Sequence, residues 1–161
     1  MTIPPLIQDA VRRTAIGFLL LVLFACSESF AGKGAGGNGI LTPCPSSPNC
    51  VSSRDPNPAR RVSPIPFAGD SASGWSRLRK VIAEMKGARI AKEESGYLHA
   101  EFRSALFGFV DDMEFRMDEA AGRIDVRSAS RTGYYDFGVN RRRVEEIRAR
   151  ISQGQEERKS R

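Results

Sequence analysis

Between Trp75 and Met85 the apolar residues Trp75, Leu78, Val81, Ile82 and Met85 recur at helical spacing, and Gly87 ends the run. That spacing predicts an amphipathic helix. Period-two stretches follow. Leu98, Ala100 and Phe102 alternate with Tyr97, His99, Glu101 and Arg103, and Met113, Phe115 and Met117 alternate with Asp112, Glu114, Arg116 and Asp118. Ile124 and Val126 alternate with Arg123, Asp125 and Arg127, with Ala121-Gly122 as the preceding hairpin turn. A shorter strand is predicted around Arg89 to Lys92. A last helix starts at Asn140 and carries Val144, Ile147 and Ile151 on one stripe. The pattern implies an α+β two-layer sandwich: a mainly antiparallel sheet of about four strands, two helices on its apolar face, and a highly charged opposite face. No internal repeat is visible.

The residues before this domain read differently. Arg12 and Arg13 precede an uncharged apolar run from Ala15 to Ala25. At 1.5 Å per residue it is shorter than the roughly 30 Å hydrocarbon core of a bilayer. A basic segment followed by a short apolar one is the pattern of a secretory signal. Leu23-Phe24-Ala25-Cys26 resembles the lipobox, in which the cysteine receives a lipid and becomes the new N-terminus; Phe24 departs from the small residue usual there. Cleavage after Ala31, in Ser29-Phe30-Ala31, is the alternative and would give a soluble periplasmic protein. Residues 1–25 are thus expected to be a lipoprotein signal, 26–40 a glycine-rich tether, 41–152 the folded domain and 153–161 a charged flexible tail. The expected location is membrane-anchored and facing the periplasm. Ser27 lacks the acidic character associated with inner-membrane retention, which favours the outer membrane.

Cysteine count agrees with export. Of Cys26, Cys44 and Cys50, the last two form an even set within Pro-Cys-Pro-Ser-Ser-Pro-Asn-Cys, where a compact turn can bring the thiols together. A disulfide is expected there. A redox dithiol would more typically have two intervening residues, and two thiolates with a single histidine in the chain cannot complete a four-ligand metal site alone. No cofactor or metal is expected. Prolines 56, 58, 64 and 66 make the stretch from Ser52 to Gly74 an extended segment lying against the domain.

Composition bounds the function classes. With 27% charged and 40% hydrophobic residues the chain is an ordinary globular one. Its formal charge of +6 comes largely from Arg141-Arg142-Arg143 and the C-terminal tail. Export argues against nucleic acid as partner and for anionic lipid or an envelope polymer; no particular protein partner is indicated.

Catalytic chemistry is sparsely signalled. His99 lies on the polar side of a strand and reads as a solvated histidine. A Ser-His-Asp arrangement would have to recruit Ser104, Ser128 or Ser130, without a Gly-x-Ser-x-Gly elbow. Asp111, Asp112 and Glu114 could act as paired carboxylates with Arg103 and Arg127 in a hydrolase or transferase. Equally, Asp112 and Glu114 could pair across strands with arginines of the same face; Arg131 belongs to the same candidate polar surface. Asn140 reads as the N-cap of the last helix, putting Arg141, Arg142 and Arg143 in its first turn, the wrong charge for that end. Either Asp111, Asp112, Glu114 or Asp136 folds over to pair with them, or they hold an external carboxylate or phosphate.

Four motifs carry a resemblance. Cys-Pro-Ser-Ser-Pro-Asn-Cys-Val-Ser-Ser (44–53), Glu-Phe-Arg-Ser-Ala-Leu-Phe-Gly-Phe-Val-Asp-Asp-Met-Glu-Phe (101–115), Arg-Ser-Ala-Ser-Arg-Thr-Gly-Tyr (127–134) and Asp-Phe-Gly-Val-Asn-Arg-Arg-Arg-Val-Glu (136–145) resemble the domain-of-unknown-function 1499 family over about residues 41 to 151. The resemblance implies an envelope or lumenal domain and supplies no activity, cofactor or catalytic residue. The chain departs from the family pattern in having Pro58-Ala59-Arg60-Arg61 where a histidine often follows the Asp-Pro pair, and Tyr135 where serine is common. The sequence supports an exported binding or structural module, with the acid-based enzyme as alternative.

Overall fold

The computed structural model describes residues 40–159. The expected leader, Cys26 as the expected lipidation residue, and the expected tether up to Gly39 fall outside that range. Eight elements follow in order: β1 (Cys50–Ser52), β2 (Ile65–Pro66), α1 (Ser71–Glu84), β3 (Ala88–Glu94), β4 (Tyr97–Arg103), β5 (Val110–Asp118), β6 (Arg123–Ser130) and α2 (Val139–Lys159). They form an α+β fold with a six-stranded sheet in the order β1-β6-β5-β4-β3, β2 also pairing with β6. All named strand pairs are antiparallel.

The sheet is wider than the four expected strands. β1 and β2 come from the proline-rich segment and share one edge of β6: Cys50–Ser52 lies along its C-terminal half and Ile65–Pro66 along its N-terminal half. Proline lacks a backbone donor, so an outer strand is where Pro66 can be accommodated. Runs of two and three residues are too short to show a period.

Helix α1 starts earlier than its apolar stripe suggests, because Asp70 caps it: the Ser73 N–H donates to Asp70 Oδ1 at 2.8 Å. Gly87, with φ +77°, turns the chain into β3; a Cβ there would lie 2.4 Å from the Arg103 carbonyl oxygen. Helix α2 continues to Lys159, through residues read from sequence as part of a loose tail. Its Gln, Glu and Arg residues are good helix formers, and Arg150 pairs with Glu146 one turn back.

One cluster unites Leu78 and Ile82 of α1 and Val144, Ile147 and Ile151 of α2 with Leu98, Phe115, Ile124 and Val126 of the sheet. Both helices therefore cover one face. Removing a ring from this layer, as in Phe115→Ala, costs about 3–5 kcal/mol. The opposite face carries the charged residues, and those at its centre, Glu114, Arg127, Asp112 and His99, are buried.

Candidate functional site

Strand parity and register place the charged side chains. On β4, Tyr97, His99 and Glu101 alternate with the core positions Leu98, Ala100 and Phe102. His99 is paired with Glu114, and Glu101 with Asp112, on β5. Glu114 is paired with Arg127 on β6. The set thus lies side by side on the face away from both helices. Glu114 is fully buried, and Tyr97, Asp112, Arg127 and His99 are each no more than 9% exposed. Alternation in the sequence located this face but concealed its burial, since polar alternation reads the same whether or not water reaches it.

Two networks account for most of these groups. In the first, His99 Nε2 lies 2.6 Å from Asp112 Oδ1, and Arg131 donates to both oxygens of Asp112 at 2.7 and 2.8 Å. Arg131 also donates to Glu101 at 2.6 Å, and Arg89 reaches the other Glu101 oxygen at 2.6 Å. Burial opposes ionisation of Asp112, but the hydrogen bonds from His99 and Arg131 outweigh it and hold its pKa at about 2. Glu101 is lowered by its bonds from Arg131 and then Arg89. The carboxylates in turn raise Arg131, Asp112 foremost, so Asp112, Glu101 and Arg131 are all charged at neutral pH.

The second network is tighter and less balanced. Tyr97 donates its hydroxyl to Glu114 Oε1 at 2.9 Å, and Arg127 Nη1 donates to Oε2 at 2.9 Å. Burial raises the Glu114 pKa despite the neighbouring Arg127 charge and the Tyr97 bond. Burial also raises the Tyr97 phenol, reinforced by the Glu114 charge. Arg127 Nε is buried with no hydrogen-bond acceptor. Arg127, only 4% exposed, thus presents an unused N–H beside a carboxyl resisting ionisation.

The structure disperses the acidic trio read from sequence. Asp111 shares parity with Met113 and Phe115, so it faces the helices, where Arg143 Nη1 meets it at 2.9 Å. The Arg143 guanidinium also lies 4.7 Å from the centre of the Phe102 ring. Parity alone could have separated Asp111 from Asp112 and Glu114. Arg103 donates to the Gly108 carbonyl at 3.0 Å and joins neither network. The cross-strand pairing is present for Glu114 with Arg127; Asp112 takes Arg131 instead of Arg103. His99 is a buried partner of Asp112, in contrast to the solvated residue its position suggested.

Among the described residues no serine is hydrogen-bonded to His99 to complete a triad. Ser128 donates to Asn140, Ser130 accepts from Asn140, and Ser104 accepts from the Phe109 N–H. Among the described residues no three His, Cys, Asp or Glu side chains are grouped to hold a metal ion.

The start of α2 also differs from its reading. Asn140 is not the cap. Asp136 fills that role, its carboxylate accepting from the N–H groups of Gly138 at 3.0 Å and Asn140 at 2.9 Å. Asn140 is instead fully buried. Its amide donates to the Asn49 carbonyl and to Ser130 Oγ, each at 3.1 Å, while its oxygen accepts from Ser128. Asn and Asp are comparable caps, so residue type could not choose between them. Arg141 donates to the carbonyls of Arg61 and Ala59 at 2.8 and 2.7 Å, and Arg142 to that of Phe137 at 2.8 Å. The helix end is thus occupied by the chain's own Asp136 carboxylate.

Cys44 and Cys50 are bonded, with Cα atoms 5.7 Å apart. The closed loop holds Asn49, which donates to the Gly133 carbonyl at 2.6 Å and accepts from the Ser130 N–H at 3.1 Å. The disulfide therefore fixes the β6–α2 connection, a structural task.

No curated protein and no solved structure matches the chain. The family model described as "Protein of unknown function (DUF1499)" matches residues 40–151, most of the chain and all eight elements but the end of α2, and the protein belongs to that family.

Proposed function

We propose that this protein is a cell-envelope binding module: exported, held by a lipid on Cys26, facing the periplasm with the outer membrane preferred, and taking an acidic ligand on the charged sheet face. The basic leader, the lipobox-like Leu23-Phe24-Ala25-Cys26 and the disulfide support the location. Cleavage after Ala31, giving a soluble periplasmic form, is the alternative.

One observation carries the binding role. The buried Arg127 keeps an N–H without an acceptor, on the face that no described helix covers. A carboxylate or phosphate oxygen, from an envelope polymer or a lipid headgroup, would complete it with a charge-assisted bond. Thermal unfolding of the full chain in detergent with acetate, inorganic phosphate and a soluble carboxylated glycan tests this. At 100-fold excess over Kd, a probe adds about 2.7 kcal/mol to stability. At least one probe should raise Tm in the wild type and not in the Glu114→Gln/Arg127→Met double variant, which removes the carboxyl and the guanidinium together. If no probe acts, or the variant responds equally, the role is wrong.

A second reading keeps a catalytic use of the same face. Of its five expected residues only Glu114 and Arg127 meet, and the raised Glu114 pKa favours a proton donor. A hydrolase or transferase of that kind would lose turnover on Glu114→Gln while still binding its substrate; equal loss of both would exclude it.

A further inference from the structure

Six of the eight exposed large apolar side chains among the described residues belong to two loops: Leu106, Phe107 and Phe109 between β4 and β5, and Tyr134, Tyr135 and Phe137 between β6 and α2. The loops lie at one end of the sheet. Asp111 is paired with Ser130, and the Arg131 N–H donates to the Val110 carbonyl at 3.0 Å, so the chain leaves β6 beside the start of β5. Such clustering is not the usual scatter of single apolar residues over a surface. Leu106 is 81%, Phe137 78% and Tyr134 75% exposed.

Their presentation is fixed by the fold. Phe137 has φ +53°, a left-handed conformation that a bulky residue rarely adopts. It is held there between the Asp136 carboxylate, which binds the next N–H groups, and Arg142, which binds the Phe137 carbonyl. Tyr135 and Phe137 meet edge to face at 5.1 Å, and Phe107 and Phe109 lie 5.7 Å apart. Strain spent on turning an aromatic ring towards solvent points to a partner for that ring.

The charge beside these rings selects the partner. Arg103 is bound to the Gly108 carbonyl of one loop and Arg142 to the Phe137 carbonyl of the other; Arg141 binds the carbonyls of Ala59 and Arg61. Among the described residues none of the three has a carboxylate within salt-bridge distance, whereas Arg131 and Arg143 do. Projecting Phe, Tyr and Leu side chains beside uncompensated guanidinium groups match the interface of a bilayer. There, aromatic rings sit at headgroup level and arginines meet phosphates.

We propose that this end of the sheet docks on a membrane containing anionic phospholipid, with the two loops entering the headgroup layer. The surface is separate from the Arg127 face and does not depend on a lipid at Cys26. Hydrogen exchange of the full chain, reconstituted in vesicles of phosphatidylcholine alone or mixed with phosphatidylglycerol, reads it directly. Amides of residues 104–109 and 131–138 should exchange roughly tenfold more slowly on the mixed vesicles, and added salt should reduce the difference. Phe107→Ser/Phe137→Ser should abolish that protection while leaving β4–β6 amides unchanged. Arg103→Gln and Arg142→Gln should each weaken it about fivefold. Equal exchange on both vesicle types, or variants behaving as wild type, overturns the proposal. So does protection that arises only with added envelope proteins, which would assign the surface to a protein partner.

Discussion

Asn140→Ala separates a helix cap from a buried hub. As a cap at an exposed helix end, Asn140 would contribute about 1 kcal/mol, independently of residues on the sheet. The structure gives it a larger task. The side chain is fully buried and bonded to Ser128, Ser130 and the Asn49 carbonyl. After truncation the Asn49 carbonyl still accepts from the Ser130 N–H, and Arg143 keeps Asp111. The Ser128 hydroxyl, itself fully buried, loses its acceptor. An orphaned buried polar group costs about 1–3 kcal/mol, and the lost amide bonds add to it, so about 2–3 kcal/mol is expected. For a domain of this size that lowers Tm by roughly 6–12 °C. Thermal and urea unfolding of Asn140→Ala, Ser128→Ala and the double variant give the coupling. Ser128→Ala should cost much less in the Asn140→Ala background than alone, with a coupling of about 1 kcal/mol or more. Strict additivity, or a loss under 0.5 kcal/mol for Asn140→Ala, would refute the hub. Asp136→Ala is the control and should behave as cap removal, costing about 1 kcal/mol.

The intact protein should weigh two hydrogens less than its reduced form, and reduction of Cys44–Cys50 should cost about 2 kcal/mol while the sheet stays folded; free thiols under non-reducing alkylation would rule the bond out. Acid unfolding should show Asp112. Its pKa falls from 3.8 to about 2, so about 2 kcal/mol of stability is present above pH 4 and disappears as pH drops through 2, and Asp112→Asn should flatten that limb. Glu114 acts with the opposite sign. Its folded pKa is raised above 4.5, so stability declines as pH rises from there until the folded carboxyl ionises, a decline that Glu114→Gln should remove. Cys26→Ser should move the protein from the membrane to the soluble fraction or leave it unprocessed; failure of the wild type to take up a fatty-acid probe would end the lipoprotein reading.

Much of the fold was legible in the sequence because three strands alternate cleanly. Leu98 to Phe102, Met113 to Met117 and Ile124 to Val126 each gave both the element and its buried face, and the stripes on the two helices gave the covering layer. The edge strands were not legible. Cys50–Ser52 and Ile65–Pro66 are strands only because β6 offers them hydrogen bonds, and no local period marks such short pairings. Around the site, parity put Glu114 beside Arg127, but composition could not reveal that Tyr97 would close over the same carboxylate. His99 and Arg131 divide Asp112 between them through cross-strand geometry that only the register fixes. At α2, two good capping residues stood four positions apart, and tertiary contacts with Asn49, Ser128 and Ser130 drew Asn140 inwards, leaving the cap to Asp136.

The proposed binding role of the charged face rests on Arg127, and the Nε–Hε resonance of that residue reports on it most directly. Titrating the full chain with inorganic phosphate and with acetate, while following the arginine Nε–Hε cross-peaks by NMR, should move the Arg127 peak saturably for at least one of the two anions. The exposed Arg79, on the helix side of the sheet and paired with Glu93 at 3.1 Å, should shift only with ionic strength. An Arg127 peak that stays still, or that only tracks Arg79, would contradict a binding site on this face.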